Sequence, residues 1–166
     1  MKKLFYSVLF LVLAVSFQSC SSDDDGGGAL SLDNTVTING ESFDLNDLGF
    51  IIGYGENEDG SFDWDVILSG PGGAEVYLDL NTNSEEGLVE GTYTYSDTRA
   101  PFRYVYAEAR ASNEESYYVW EQGAIEIDIN GNNVSIVLNV TAEEDSVQVP
   151  IEVEWSGTLT IDNSDD

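Results

Sequence analysis

The sequence predicts an all-β domain, an antiparallel β-sandwich or flattened barrel of about eight to ten short strands. Three observations lead there. Apolar and polar residues alternate with period two over most of the chain after residue 35, as in strands with one face packed inward and one in water. Turn signals recur between these runs. No stretch of this region repeats its apolar residues at the helical period. Hydrophobic residues make up 42% of the chain, enough for a core in one domain of ordinary size.

Val36-Thr37-Ile38 leads through Asn39-Gly40 into Glu41-Ser42-Phe43, a hairpin. Phe50-Ile51-Ile52 runs to an acidic turn, Glu56-Asn57-Glu58-Asp59-Gly60. Phe62, Trp64, Val66 and Leu68 then alternate with Asp63 and Asp65, and Pro71-Gly72-Gly73 turns the chain into Val76, Leu78 and Leu80. Gly91 to Tyr95, Phe102 to Ala107 and Tyr117 to Gln122 are further strands. Ile125, Ile127 and Ile129 precede the turn Asn130-Gly131-Asn132, and Val134, Ile136, Leu138 and Val140 follow it. The last run, Val147 to Ile161, is too long for one flat strand; Pro150 suits an edge or bulge and Gly157 a bend. Pattern alone leaves a closed lipocalin-like barrel as the alternative architecture.

Before this domain lies a segment of different character. Met1-Lys2-Lys3 is a short basic start, and LFYSVLFLVLAVSF, Leu4 to Phe17, is apolar but for two serines. Fourteen residues suit a signal-peptide core better than a membrane span of roughly 20. Gln18-Ser19-Cys20 follows, and this arrangement resembles the lipobox of bacterial lipoprotein precursors, with Phe17 where leucine is common. The resemblance implies cleavage before Cys20 and acylation of that cysteine, the only one in the chain. Ser21-Ser22-Asp23-Asp24-Asp25 resembles the acidic signal that sends Bacteroidota lipoproteins to the outer surface of the outer membrane. The expected organisation is a signal peptide at 1–19, a lipidated cysteine and acidic, Gly-rich linker at 20–34, the β-domain at 35–162 and an acidic tail at 163–166.

Charge narrows the functions. There are 5 Lys+Arg against 32 Asp+Glu and no histidine, a formal net charge of −27. Removal of residues 1–19 takes away both lysines, leaving Arg99, Arg103 and Arg110 as the basic residues and a net charge of −29. Such a chain repels phosphate backbones, which excludes nucleic acid as a partner. Without histidine, lysine or a free thiol, Ser-His-Asp, Cys-His and Ser-Lys catalysis are excluded, as is zinc held by His or Cys.

Carboxylates and aromatics remain. Glu56, Asn57, Glu58 and Asp59 are the best calcium candidates, although Gly55 stands where an EF-hand needs its first ligand. Asp63/Asp65 and Glu126/Asp128 are pairs on single strand faces, roughly 6.5–7 Å apart, and would share a metal only with help from a neighbouring strand. No cofactor is expected, with calcium the one to test. Tyr93, Tyr104, Tyr117 and Trp120 are the candidate ligand-contact aromatics, against core packing as the simpler use of such residues. Arg99, Arg103 and Arg110 read most simply as internal partners of the acidic surface.

Gly91-Thr92-Tyr93-Thr94-Tyr95, Gly123-Ala124-Ile125-Glu126-Ile127 and Trp155-Ser156-Gly157-Thr158-Leu159 together resemble β-domains common in Bacteroidota lipoproteins. The resemblance implies fold and lineage and no activity. Asp145-Ser146-Val147 resembles the O-glycosylation acceptor of the same lineage. The functional expectation is a non-enzymatic, membrane-anchored binding or surface-layer module, accessory to glycan or nutrient capture. The alternatives are a carrier of a small apolar ligand and a carboxylate-dependent hydrolase; a glycan, a small apolar ligand or a protein all stand open as partner.

Overall fold

The alternating runs become eleven strands in a computed structural model that describes residues 32–161. The signal peptide, Cys20, Ser21 to Asp25, most of the linker and the acidic tail at 163–166 lie outside the described residues. In chain order the strands are β1 (Thr35–Ile38), β2 (Glu41–Asp44), β3 (Leu48–Glu56), β4 (Phe62–Ser69), β5 (Glu75–Thr82), β6 (Gly91–Tyr95), β7 (Arg103–Arg110), β8 (Tyr118–Val119), β9 (Ala124–Asn130), β10 (Asn133–Glu144) and β11 (Val147–Ile161). Eight of them close into a ring in the order β10-β9-β6-β7-β5-β4-β3-β11, with β11 returning to β10. The β1–β2 hairpin extends from β11, and β8 pairs with β7.

The ring is mixed where the sequence pattern suggested purely antiparallel pairing. β6 runs parallel to β7, and β3 runs parallel to β11. The first seam arises because the 96–102 segment makes a complete loop and starts β7 beside the end of β6, with Thr94 opposite Arg103. The second joins elements near the two ends of the domain, a pairing that local alternation does not encode.

Inward positions carry the core. Val66 and Leu68 of β4, Leu78 and Leu80 of β5, Tyr93, Tyr104, Ile125, Ile136 and Trp155 are all fully buried. The indoles of Trp155 and Trp64 satisfy their N–H groups on the carbonyls of Asn46, at 2.6 Å, and Ser84, at 3.1 Å. Outward positions on β9, β10 and β11 carry Glu126, Asp128, Ser135, Asn139, Glu152 and Glu154. An apolar inside and a charged outside is the reverse of a membrane-spanning barrel.

Closure is concentrated at the bend expected around Gly157. β11 pairs with β10 along one edge, while its other edge pairs first with β1 over Ile151–Glu154 and then with β3 over Thr158–Ile161. At the changeover, Asn34 bonds both the N–H and the C=O of Ser156, at 2.7 and 3.0 Å, which ties the residue expected to end the linker into the barrel. The Asp47 carbonyl accepts from Thr158 N–H at 2.9 Å. A Cβ on Gly157 would lie 2.0 Å from that carbonyl oxygen. Gly157→Ala is therefore expected to lower stability by about 3 kcal/mol through overpacking against backbone. Urea denaturation checks this; an unchanged midpoint would show that the 45–47 segment does not depend on the missing side chain.

Candidate functional site

The outer faces of β3, β4, β5 and β7 differ from the rest of the barrel. Phe50 and Tyr54 on β3, Tyr106 on β7 and Tyr117 just before β8 are the exposed aromatic side chains among the described residues. All four belong to this face. Tyr77 on β5 packs edge-on against Tyr106 with ring centroids 5.9 Å apart. Tyr117 donates to Glu75 and lies under the Arg110 guanidinium, 4.8 Å from its ring centroid. Three strand spacings make the face about 14 Å across.

At its centre sit three carboxylates. The hairpin folded at Pro71–Gly73 places Asp65 directly opposite Asp79, and Asp63 opposite Asn81. The ligand oxygens of Asp63, Asp65 and Asp79 all lie within 4.8 Å of one another. Although they project from the outside of the barrel, Asp65 and Asp79 are only 5% and 8% exposed. Their cover is the 96–102 loop and the tyrosines. Arg99 forms paired bonds to Asp79, both at 3.0 Å, and approaches Asp63 at 2.6 Å as an ion pair without hydrogen-bond direction. It also reaches the Asn81 side-chain oxygen at 3.3 Å. Tyr77 donates to Asp65 at 2.5 Å, and the Tyr54 hydroxyl bonds the same carboxylate.

Two β-bulges flank this centre. One falls between Gly53 and Gly55 on β3, leaving Tyr54 as the extra residue; the other adds Val105 to β7 beside Asp79. Bulges re-aim side chains, and here they leave Tyr54 and Tyr106 on the outer face, with the Tyr54 hydroxyl on Asp65. The Arg99 loop is tied down by the Phe102 N–H on the Asn81 carbonyl at 2.8 Å. Phe102 takes φ 60°, strained for a bulky residue, with its ring packed against Tyr93.

Burial dominates the electrostatics. It raises the Asp65 carboxyl above the ordinary range, against the opposing hydrogen bonds from Tyr77 and Tyr54. It pushes Asp79 up to about 6, with the Asp63 charge adding to the rise and Arg99 opposing it. Burial and the bond to Asp65 raise Tyr77. For Arg99 burial acts downward, and Asp79 and Asp63 outweigh it, so the guanidinium is held charged. The spacing of the three carboxylates suits a hard, oxygen-seeking cation, but the guanidinium occupies the place between Asp63 and Asp79.

Of the aromatics singled out from the sequence, Tyr93, Tyr104 and Trp120 are core residues, at most 1% exposed, and only Tyr117 reaches solvent. Tyr93 and Tyr104 spend their hydroxyls on the carbonyls of Val89 and Gln122. The acidic turn is organised by its own bonds. Asp59 accepts from the N–H and hydroxyl of Ser61, which lowers its pKa, and Asn57 links to Ser61 and Asn81. Glu56 and Glu58 are exposed. Asp63 and Asp65 do receive a third carboxylate from the neighbouring strand, whereas Glu126 and Asp128 stand exposed on β9. Ser146 occupies the exposed tip of the β10–β11 hairpin, where Asp145 and Ser146 both adopt positive φ.

Comparison with known proteins gives no match: no family model, no curated protein and no solved structure is significantly similar to this chain.

The raised carboxyl of Asp79 predicts a pH signature. The folded state holds that proton more tightly than the unfolded chain, so the group's contribution is most favourable below about pH 4 and is lost as pH rises through about 6. Compared with Asp79→Asn, the wild type is expected to lose on the order of 2 kcal/mol between these limits. Parallel stability curves for the two proteins from pH 4 to 7 would contradict it.

Proposed function

We propose that this chain is a lipoprotein anchored through Cys20 at the external surface of the outer membrane, and that its barrel is a non-catalytic binding module in glycan capture. The observation that carries the reading is that Phe50, Tyr54, Tyr106 and Tyr117 are exposed on the face that also holds the carboxylate centre. Aromatic faces offer flat apolar area, and carboxylate and phenol oxygens bond hydroxyl groups. That combination fits a neutral, hydroxyl-rich ligand better than a phosphate or a nucleic acid, which the net charge repels.

Two further features support this reading over its alternatives. The barrel interior is occupied by Trp155, Tyr93, Tyr104 and the aliphatic side chains around them, which favours recognition from outside over carriage within. Arg99 bridges Asp63 and Asp79, which favours a fixed scaffold over carboxylates free for acid–base work. The N-terminal lipobox and acidic run support the anchor.

Metabolic labelling with a palmitate analogue is expected to mark the wild type and not Cys20→Ser, which should leave the membrane fraction; label on the variant would refute the anchor. On a glycan array the full chain should bind at least one neutral glycan. Phe50→Ala combined with Tyr106→Ala should weaken that signal by roughly tenfold or more, with melting temperature little changed. Running the array with calcium and with a chelator separates direct recognition from cation-dependent recognition. Blank arrays under both conditions would remove the glycan reading.

A further inference from the structure

The tryptophan indoles are not equivalent. Those of Trp64 and Trp155 donate to backbone carbonyls, whereas the Nε1–H of Trp120, a residue only 1% exposed, has no acceptor among the described residues. Trp120 lines a pocket of about 350 Å³ together with Val119, Glu121, Gln122, Thr141 and Glu143, a size at the lower end for small-molecule sites.

The topology explains why a pocket opens there. The β9–β10 ladder ends at Ile125 and Leu138, so from Asn139 to Glu144 β10 pairs only with β11. Its other edge faces the chain leaving β8, and the Gln122 side-chain amide crosses the gap to donate to the Thr141 carbonyl at 2.9 Å. The pocket therefore brings together a residue whose buried indole donor is unsatisfied, an unpaired strand edge and the carboxylates of Glu121 and Glu143.

Each ligand class meets these groups differently. An anion would face two carboxylates and a chain of net charge −27. A metal ion would suit the carboxylates and leave the indole N–H unanswered. A hydroxyl group accepts from the indole and donates to a carboxylate at once. We infer that this rim pocket is a subsite for a neutral polyhydroxylated ligand of about one monosaccharide unit, with Trp120 as donor and Glu121 and Glu143 as acceptors. It shares no lining residue with the exposed aromatics of that face and does not rest on their reading.

The test is NMR of the full chain in detergent micelles, labelled with ¹⁵N at the tryptophan indoles and titrated with glucose, galactose and mannose. The Trp120 resonance, assigned from its loss in Trp120→Phe, should move saturably with at least one sugar, while those of Trp64 and Trp155 stay in place. Glu143→Gln and Glu121→Gln, both at exposed positions, should each weaken the apparent affinity by about tenfold, and they carry the test if Trp120→Phe fails to fold. Three results would overturn the inference: no saturable movement with any sugar up to about 50 mM, movement with calcium chloride alone, or a sugar response indifferent to both glutamate variants. Phe50→Ala with Tyr106→Ala should leave the Trp120 response intact, so loss of binding on the aromatic face and loss at this pocket are read separately.

Discussion

The barrel depends on one strand serving three partners. β11 has fifteen residues, and its two edges hold β10, β1 and β3 in a fixed arrangement. The change from β1 to β3 requires the 45–47 backbone to pass where a side chain would otherwise project, which is why Gly157 stands there. Asn34, Asn46 and Asp47 then spend their polar groups on β11 itself. A buried backbone crossing leaves no orphaned donors when its groups are used this way. Without this crossing the sheet would remain open, with two unprotected edges.

The candidate face follows from the same architecture. The parallel seam between β6 and β7 forces the 96–102 segment to loop outward, and that loop carries Arg99 onto the carboxylates of β4 and β5. Three clustered carboxylates beneath a protein surface are unfavourable without compensation. One guanidinium and two tyrosine hydroxyls supply it here. The result is a polar centre stiffened by neighbours on four strands and ringed by exposed aromatic rings.

Much of this was legible in the sequence. Alternation places the strands, Asn-Gly and Pro-Gly-Gly place turns, and the Asp63/Asp65 spacing on one strand face calls for a neighbour from the next strand. That neighbour, Asp79, was within reach, because the Pro71–Gly73 turn sets the β4–β5 register. The sorting of aromatics was not legible, for a physical reason. Tyr104 and Tyr106 share the parity of a regular strand, yet one is buried and the other exposed, because Val105 is an inserted residue that reverses the faces. Period-two reasoning carries no signal for such an insertion. Nor does it signal a parallel seam between strands as distant in the chain as β3 and β11, so the mixed barrel and the Arg99 loop came from the structure.

The β3–β11 seam also governs when the fold can exist. Its contacts span more than a hundred residues, from Leu48–Ile51 to Thr158–Ile161, so they carry a large loop-closure entropy and a high contact order. Any process that handles the chain from its N-terminus onward meets an open sheet until the final strand is delivered. Synthesis in that direction therefore leaves the barrel unclosed, and its cooperative closure waits for the C-terminal end. The strand that seals the barrel is in this sense also its clock.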